Sequence, residues 1–302
     1  MDRRDFLFCS GTAAFCAMLS TPALALSPNA GFKLGYQLYS VRDDMNNDPE
    51  GTLLALKKMG YQHFELYGFD PTAGTFYNMP APAFKSLLDD LELSVTSGHY
   101  GFAPYLEKSD KQLTEFVDRC IEGAKTIGSD YITWPWTDPA QRNIATFKRL
   151  PQLLNKIGKQ VSDAGLGFAY HNHGFEFEIK DDSGNGENAY NIIVNQTDPD
   201  LVKLQLDMYW VSRSSSTTPQ ALVRQHPGRY VMWHVKDMDK QTQDYTELGN
   251  GSIDYTAILP DTSTSGLRYF YIEQGGNFSQ SPMKSAATSA AYFKAHLAKY
   301  FV

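Results

Sequence analysis

From Phe32 onward the chain alternates eight times between short apolar runs and longer stretches of helical periodicity. No other feature constrains the fold as strongly. The strand-type runs are residues 33–39, 61–67, 94–99, 130–134, 166–170, 202–207, 230–236 and 267–273. Between them apolar residues recur at helical spacing, as at Leu150, Leu153, Leu154, Ile157 and Val161. Gly60 and Gly128 stand where two of these helices should end. Pro151 is expected to interrupt or restart the helix over 144–164. Strands joined through helices pair in parallel, and no domain-scale linker divides the series. The expectation is an α/β chain folded as one (β/α)8 TIM barrel over residues 26–302, a length of about 275 residues that suits that fold. Two doubly wound sheets are the competing arrangement, and the unbroken alternation disfavours it.

Residues 1–25 are set apart. Arg3-Arg4-Asp5-Phe6-Leu7 resembles a twin-arginine export motif, residues 8–19 are apolar and small, and Ala23-Leu24-Ala25 offers a cleavage site. The apolar run is too short for a stable membrane anchor, so a periplasmic location is expected. Cys120 alone would then be left, and no internal disulfide could form. A net charge of −7 argues against nucleic acid as a partner. Phosphate-binding and dinucleotide-binding loops and a serine nucleophile elbow are missing from the sequence.

The chemistry lies where the apolar strands turn polar. Glu65, His99, His171 with His173, Asp207, His234 and Glu273 all fall near the C-terminal ends of predicted strands. In a barrel those ends meet at one mouth. His171 and His173 project from one strand face, about 6–7 Å apart. Asp207, His234 and Glu273 form the strongest set, two carboxylates and an imidazole that suit one divalent ion: Mn, Mg, Co or Zn. Each has a plainer alternative. Asp207 could cap a helix, Glu273 could pair with Lys236, and His234 could be a neutral core histidine.

Four local signatures give a resemblance across nearly the whole mature chain: His171-Asn-His-Gly-Phe-Glu-Phe177, Gln205-Leu-Asp-Met208, Trp233-His-Val-Lys-Asp237 and Tyr271-Ile-Glu273. Together they resemble the xylose-isomerase-like barrel superfamily of sugar isomerases and epimerases, which also includes endonuclease IV. The resemblance implies one divalent metal held by residues of strands five to eight, with Asp207, His234 and Glu273 matching the last three. Strand five departs from the family's Glu-Asn-His, because His171 stands at the glutamate position. Either Glu176 or His171 would complete the shell, with Glu176 the first choice.

The expected activity is isomerisation or epimerisation of an unphosphorylated keto-sugar, by proton abstraction next to a carbonyl through a metal-stabilised enediolate. His171, His173 and Glu273 are the catalytic candidates. Elimination from a 3-keto-glycoside at the same site and a non-catalytic carbohydrate-binding barrel are the alternatives. Gln37, Glu65, His99, Trp134, Trp210 and Lys236 are expected to bind the sugar, with Tyr39 and Trp136 as further stacking rings. The sequence is compatible with a homo-oligomer and does not address assembly.

Overall fold

The computed structural model describes residues 31–181 and 186–301. The expected export signal at 1–25 lies outside the described residues. Eight parallel strands close into a barrel: β1 (Gly35–Gln37), β2 (His63–Leu66), β3 (Ser94–His99), β4 (Tyr131–Trp134), β5 (Gly167–His171), β6 (Lys203–Asp207), β7 (Met232–Val235) and β8 (Tyr269–Ile272). Each strand pairs with its neighbours in the sequence, and β8 closes the ring on β1 at Tyr36 and Ile272. The expected (β/α)8 architecture is therefore the observed one.

The helices form where the periodicity placed them. Asp48 caps the helix Pro49–Met59 by accepting from the Gly51 N–H at 2.9 Å, and Gly60 ends it at φ +97°, a left-handed turn that suits glycine. The helix Ile144–Asp163 runs through Pro151 without interruption. Its buried stripe of Phe147, Leu150, Leu154, Ile157 and Val161 offsets the roughly 3 kcal/mol that an interior proline costs. Among the described residues no helix is long and apolar enough to cross a membrane.

The strands present alternate residues to two layers. Outward residues such as Phe64, Ile132, Phe168, Leu204, Leu206, Trp233 and Phe270 pack beneath the helices. Inward residues fill the barrel, with Tyr131, Ala169, Met232 and Tyr271 forming an apolar floor. One bulge disturbs the alternation: Phe64 pairs with Val95, but Glu65 pairs with Ser97. The extra residue, Thr96, turns its hydroxyl inward to His63 Nδ1 (3.0 Å) and to the Tyr271 hydroxyl (2.7 Å). Ser97 and His99 still face the interior above it.

The long loop after β7 is organised by Asp237. Its buried carboxylate accepts from the N–H groups of Met238 (2.8 Å), Gly249 (2.9 Å), Gly251 (3.1 Å) and Ile253 (3.1 Å). A Cβ at position 251 would lie 2.0 Å from Asp237 Oδ1, so only glycine allows this approach. Both Asp237 oxygens are thereby spent on the loop.

Candidate active site at the barrel mouth

The inward residue nearest the end of each strand builds the site from below. Glu65, fully buried on β2, is its base. Its Oε1 accepts from Ser97 Oγ (2.6 Å) and Gln205 Nε2 (2.6 Å), and its Oε2 from Gln37 Nε2 (2.7 Å). The same Oε2 meets His234 Nε2 at 2.6 Å and His99 Nε2 at 3.1 Å. Burial alone would raise this carboxyl, but the two imidazoles outweigh it and hold it well below the usual carboxylate range.

His234 on β7 is thereby gripped on both ring nitrogens, with Nδ1 2.6 Å from Glu273 Oε2. Burial disfavours its charge, yet the flanking Glu65 and Glu273 raise its pKa to about 9. With a carboxylate on each ring nitrogen it is not the neutral core histidine of the plainer reading, and to ligate an ion through Nδ1 it would give up the proton there. Glu273 also meets the Lys236 ammonium at 2.6 Å, and Asp207 Oδ2 meets it at 2.7 Å. Against its burial, Lys236 and His234 hold the Glu273 carboxyl far below its ordinary value. Both plainer readings of the acids thus hold beside the functional one. Asp207 Oδ1 caps the helix Met208–Ser214 through the Trp210 N–H (3.2 Å), and Glu273 pairs with Lys236.

His171 closes the fourth side. Its Nε2 lies 3.7 Å from Asp207 Oδ2, and its ring centroid is 4.6 Å from His234 and 4.8 Å from His173. Burial and the surrounding positive charge drive its pKa well below 6.5, so it is neutral. His173, just past the strand, is depressed chiefly by burial as well. Neither Nδ1 has a hydrogen-bond partner. Asn172 between them ties β5 to β6, accepting from the Asp207 N–H at 3.0 Å.

These donors fit a divalent ion. Ligand atoms of Asp207, His234 and Glu273 lie within 4.8 Å of one another. Asp207 Oδ2, although beside Lys236, makes no hydrogen bond of good geometry, and the His171 imidazole is unprotonated and under-used. His234 gives its Nε2 to the Glu65 carboxylate, the arrangement by which outer carboxylates orient metal-binding histidines. A second convergent group, His99, His171 and His234, shares the same mouth.

Other expected site residues fall elsewhere. Glu176, the first choice for a fourth ligand, is not brought into this cluster. Its Oε1 accepts from the Tyr170 hydroxyl (2.8 Å) and its Oε2 from the His173 N–H (2.9 Å), and burial raises its pKa to about 7. The chain turns into a short helix, Phe175–Glu178, straight after His173, which folds Glu176 back beside its own strand. Trp134 is also displaced from its expected place. Thr133 faces inward to Ser97 (2.9 Å), so Trp134 points outward, stacked on Phe102 with centroids 5.0 Å apart. Gln37 spends its amide on Glu65 and its Oε1 on the Tyr39 N–H (3.0 Å), leaving it as a support. Trp210 does lie at the mouth, 5.6 Å from the His173 ring and 6.1 Å from Tyr245. Trp136 (42% exposed) and Tyr39 (40%) present rings to solvent.

Sequence reasoning missed Gln205 and Tyr245. Gln205 sits two residues before Asp207 on one strand, so period-two alternation put it on the same face. Tyr245 comes from a long loop whose course no local pattern fixes.

No protein-family model matches the sequence, nor does any curated protein. Solved structures do match. A sugar phosphate isomerase/epimerase from Parabacteroides distasonis is 25% identical, with a TM-score of 0.77, covering 92% of this chain and 99% of that one. The chain has the fold of these sugar phosphate isomerase/epimerase and xylose isomerase-like TIM-barrel structures and is similar to them. The IOLI protein with a bound zinc atom superposes with a TM-score of 0.70 at 17% identity, over 89% of this barrel and 99% of its own length. An L-ribulose 3-epimerase gives 0.66 at 15%, over 89% and 95%.

Proposed function

We propose that this barrel is a sugar isomerase or epimerase that uses one divalent metal ion and acts on an unphosphorylated keto-sugar in the periplasm. One observation carries the reading: Asp207, His234 and Glu273 converge at the mouth beside His171, a neutral imidazole whose Nδ1 has no partner. Similarity to solved structures, among them two sugar isomerases or epimerases and a zinc-bound barrel, supports it.

Asp207, His234 and Glu273 would hold the ion, whose contribution is Lewis-acid polarisation of a carbonyl. With two imidazoles at hand, zinc, manganese or cobalt suits the set better than magnesium. His171 then has the properties of a general base, being buried, neutral at pH 7 and without a partner at Nδ1. Glu273 is committed to Lys236 and His234, whereas Nδ1 of His171 is free to accept a proton. His173, one ring away, can return a proton to another carbon or face. Trp210, Trp136 and Tyr39 offer rings for the apolar face of a sugar. Lys236, the ammonium between Asp207 and Glu273, is already engaged by these two carboxylates, which speaks against its holding a phosphate.

Elimination from a 3-keto-glycoside is the second reading. It is favoured by the imidazole on β5 where a second acid–base carboxylate would be expected, since elimination needs one base and a departing group. Proton NMR in D2O with zinc- or manganese-loaded protein and a panel of keto-sugars tests both. Deuterium should enter at the carbon next to the carbonyl, and released aglycone would mark elimination. No exchange with any keto-sugar, from protein shown to carry its metal, would overturn the catalytic reading.

A further inference from the structure

We propose that Lys236 is the resident counter-ion of the site, holding Asp207 and Glu273 together until a divalent ion displaces its ammonium. The inference rests on the metal-site reading above and concerns what this chain does when the ion is not there.

Lys236 Nζ lies 2.7 Å from Asp207 Oδ2 and 2.6 Å from Glu273 Oε2, and the residue is only 3% exposed. Asp207 and Glu273 are the same two carboxylates that converge with His234 as ligands. An ammonium bridging two buried carboxylates satisfies in one stroke the desolvation of three charges. A divalent ion needs those carboxylates at about 2.0–2.2 Å. The ammonium and the ion would be like charges sharing one pair of acids in a water-poor pocket, so the two cannot be held together there.

The exchange is built as a side-chain movement. The Lys236 N–H donates to the Tyr255 hydroxyl at 2.8 Å, and that hydroxyl donates back to the Lys236 carbonyl. Tyr255 is buried, so the backbone at 236 is pinned. A second resting place is at hand. The Tyr245 ring, half-buried at the mouth, has its centroid 5.7 Å from Nζ, within cation–π range. A lysine swung toward Tyr245 would leave the carboxylates free and carry its charge toward the substrate side.

The sign of one measurement separates this role from that of a simple ligand support. Zinc or manganese affinity is measured by titration calorimetry on chelator-stripped protein, for wild type, Lys236→Met and Lys236→Gln. A resident counter-ion predicts that both variants bind the metal at least tenfold more tightly than wild type. Their metal-free melting temperatures should fall, while the loaded forms stay near wild type. Equal or weaker binding by folded variants, with wild type still taking up metal, overturns the proposal alone. Metal-free behaviour of all three proteins overturns the metal-site reading with it. Uptake by the variants but not by wild type would mean an ammonium that the ion cannot displace, and overturns the exchange. Should neither variant fold, acetylation of wild-type lysines followed by mass spectrometry decides. Lys236 labelling should rise on metal loading, and unchanged labelling of loaded protein refutes displacement.

Discussion

Glu65→Gln is the sharpest perturbation of the site, because it exchanges a single oxygen for NH2 at the point where five donors meet. In wild type Glu65 accepts from Ser97, Gln205, Gln37 and His234 at 2.6–2.7 Å and from His99 at 3.1 Å. A glutamine offers one oxygen and one NH2, and either orientation turns the NH2 toward donors. Ser97 can rotate to accept, but the two neighbouring amides cannot flip freely. Gln37 Oε1 already accepts from the Tyr39 N–H, and Gln205 Oε1 pairs with His99 Nε2 at 2.8 Å. At least two charge-assisted bonds are therefore lost at about 1.5–3 kcal/mol each, or roughly 3–6 kcal/mol in all. His234 loses one of the two carboxylates that raise it to about 9. To accept from the new NH2 at Nε2 it must carry its proton on Nδ1, the nitrogen aimed at Glu273 and the ligand set. Loss of such an outer carboxylate weakens metal binding by about 10–100-fold. Guanidinium denaturation at pH 7 and zinc calorimetry measure the two effects. A variant within about 1 kcal/mol of wild-type stability that also binds zinc as tightly would refute the view that Glu65 orients His234.

Four further outcomes follow from the same structure. His63, beneath the site, is pushed by burial down to about 4, with its Nδ1 on Thr96 and its Nε2 on the Lys33 carbonyl (3.0 Å). The unfolded chain protonates near 6.5 while the fold resists, so this contribution is complete above about pH 6.5 and falls by about 3 kcal/mol on descending to pH 4. Denaturation midpoints at pH 7 and 4.5 should accordingly differ less for His63→Gln than for wild type, and equal differences contradict the assignment. Glu176 has the opposite sign. Burial raises it from 4.5 to about 7, so wild type loses stability as pH rises across that window, and Glu176→Gln should gain on wild type between pH 5 and 8 while keeping its metal stoichiometry. Trp134→Ala should lose about 3–5 kcal/mol by leaving a cavity, with sugar affinity kept in the folded fraction. Trp210→Ala should do the reverse, with a raised KM and little change in melting temperature.

The barrel was legible because its signal is repeated: eight alternations of period two and period 3.6 leave few arrangements that bury every apolar face. The site was legible in part for the same reason. A polar residue at a strand end goes to the mouth whatever surrounds it, and Asp207, His234, Glu273, His171 and Glu65 all met there. The failures came where one residue of register, or a turn, decides. Trp134 is adjacent to inward-facing Thr133 and so lies on the other face of the sheet. Glu176 follows a Gly174 turn whose direction no pattern announces, and the turn carries its carboxylate back to Tyr170 and the His173 N–H. Lys236 was read as a sugar-binding residue, with a pairing to Glu273 as the plainer alternative. That it also reaches Asp207 depends on the spacing of three strands, which the linear sequence does not contain.

The central claim is a single divalent-ion site made by Asp207, His234 and Glu273. Elemental analysis tests it most directly, on purified protein incubated with zinc or manganese and dialysed, beside Asp207→Ala and Glu273→Ala. Wild type should retain close to one equivalent and each variant well under a tenth, with circular dichroism showing all three folded. Wild-type protein that retains no metal after incubation, or variants that retain as much as wild type, would contradict it.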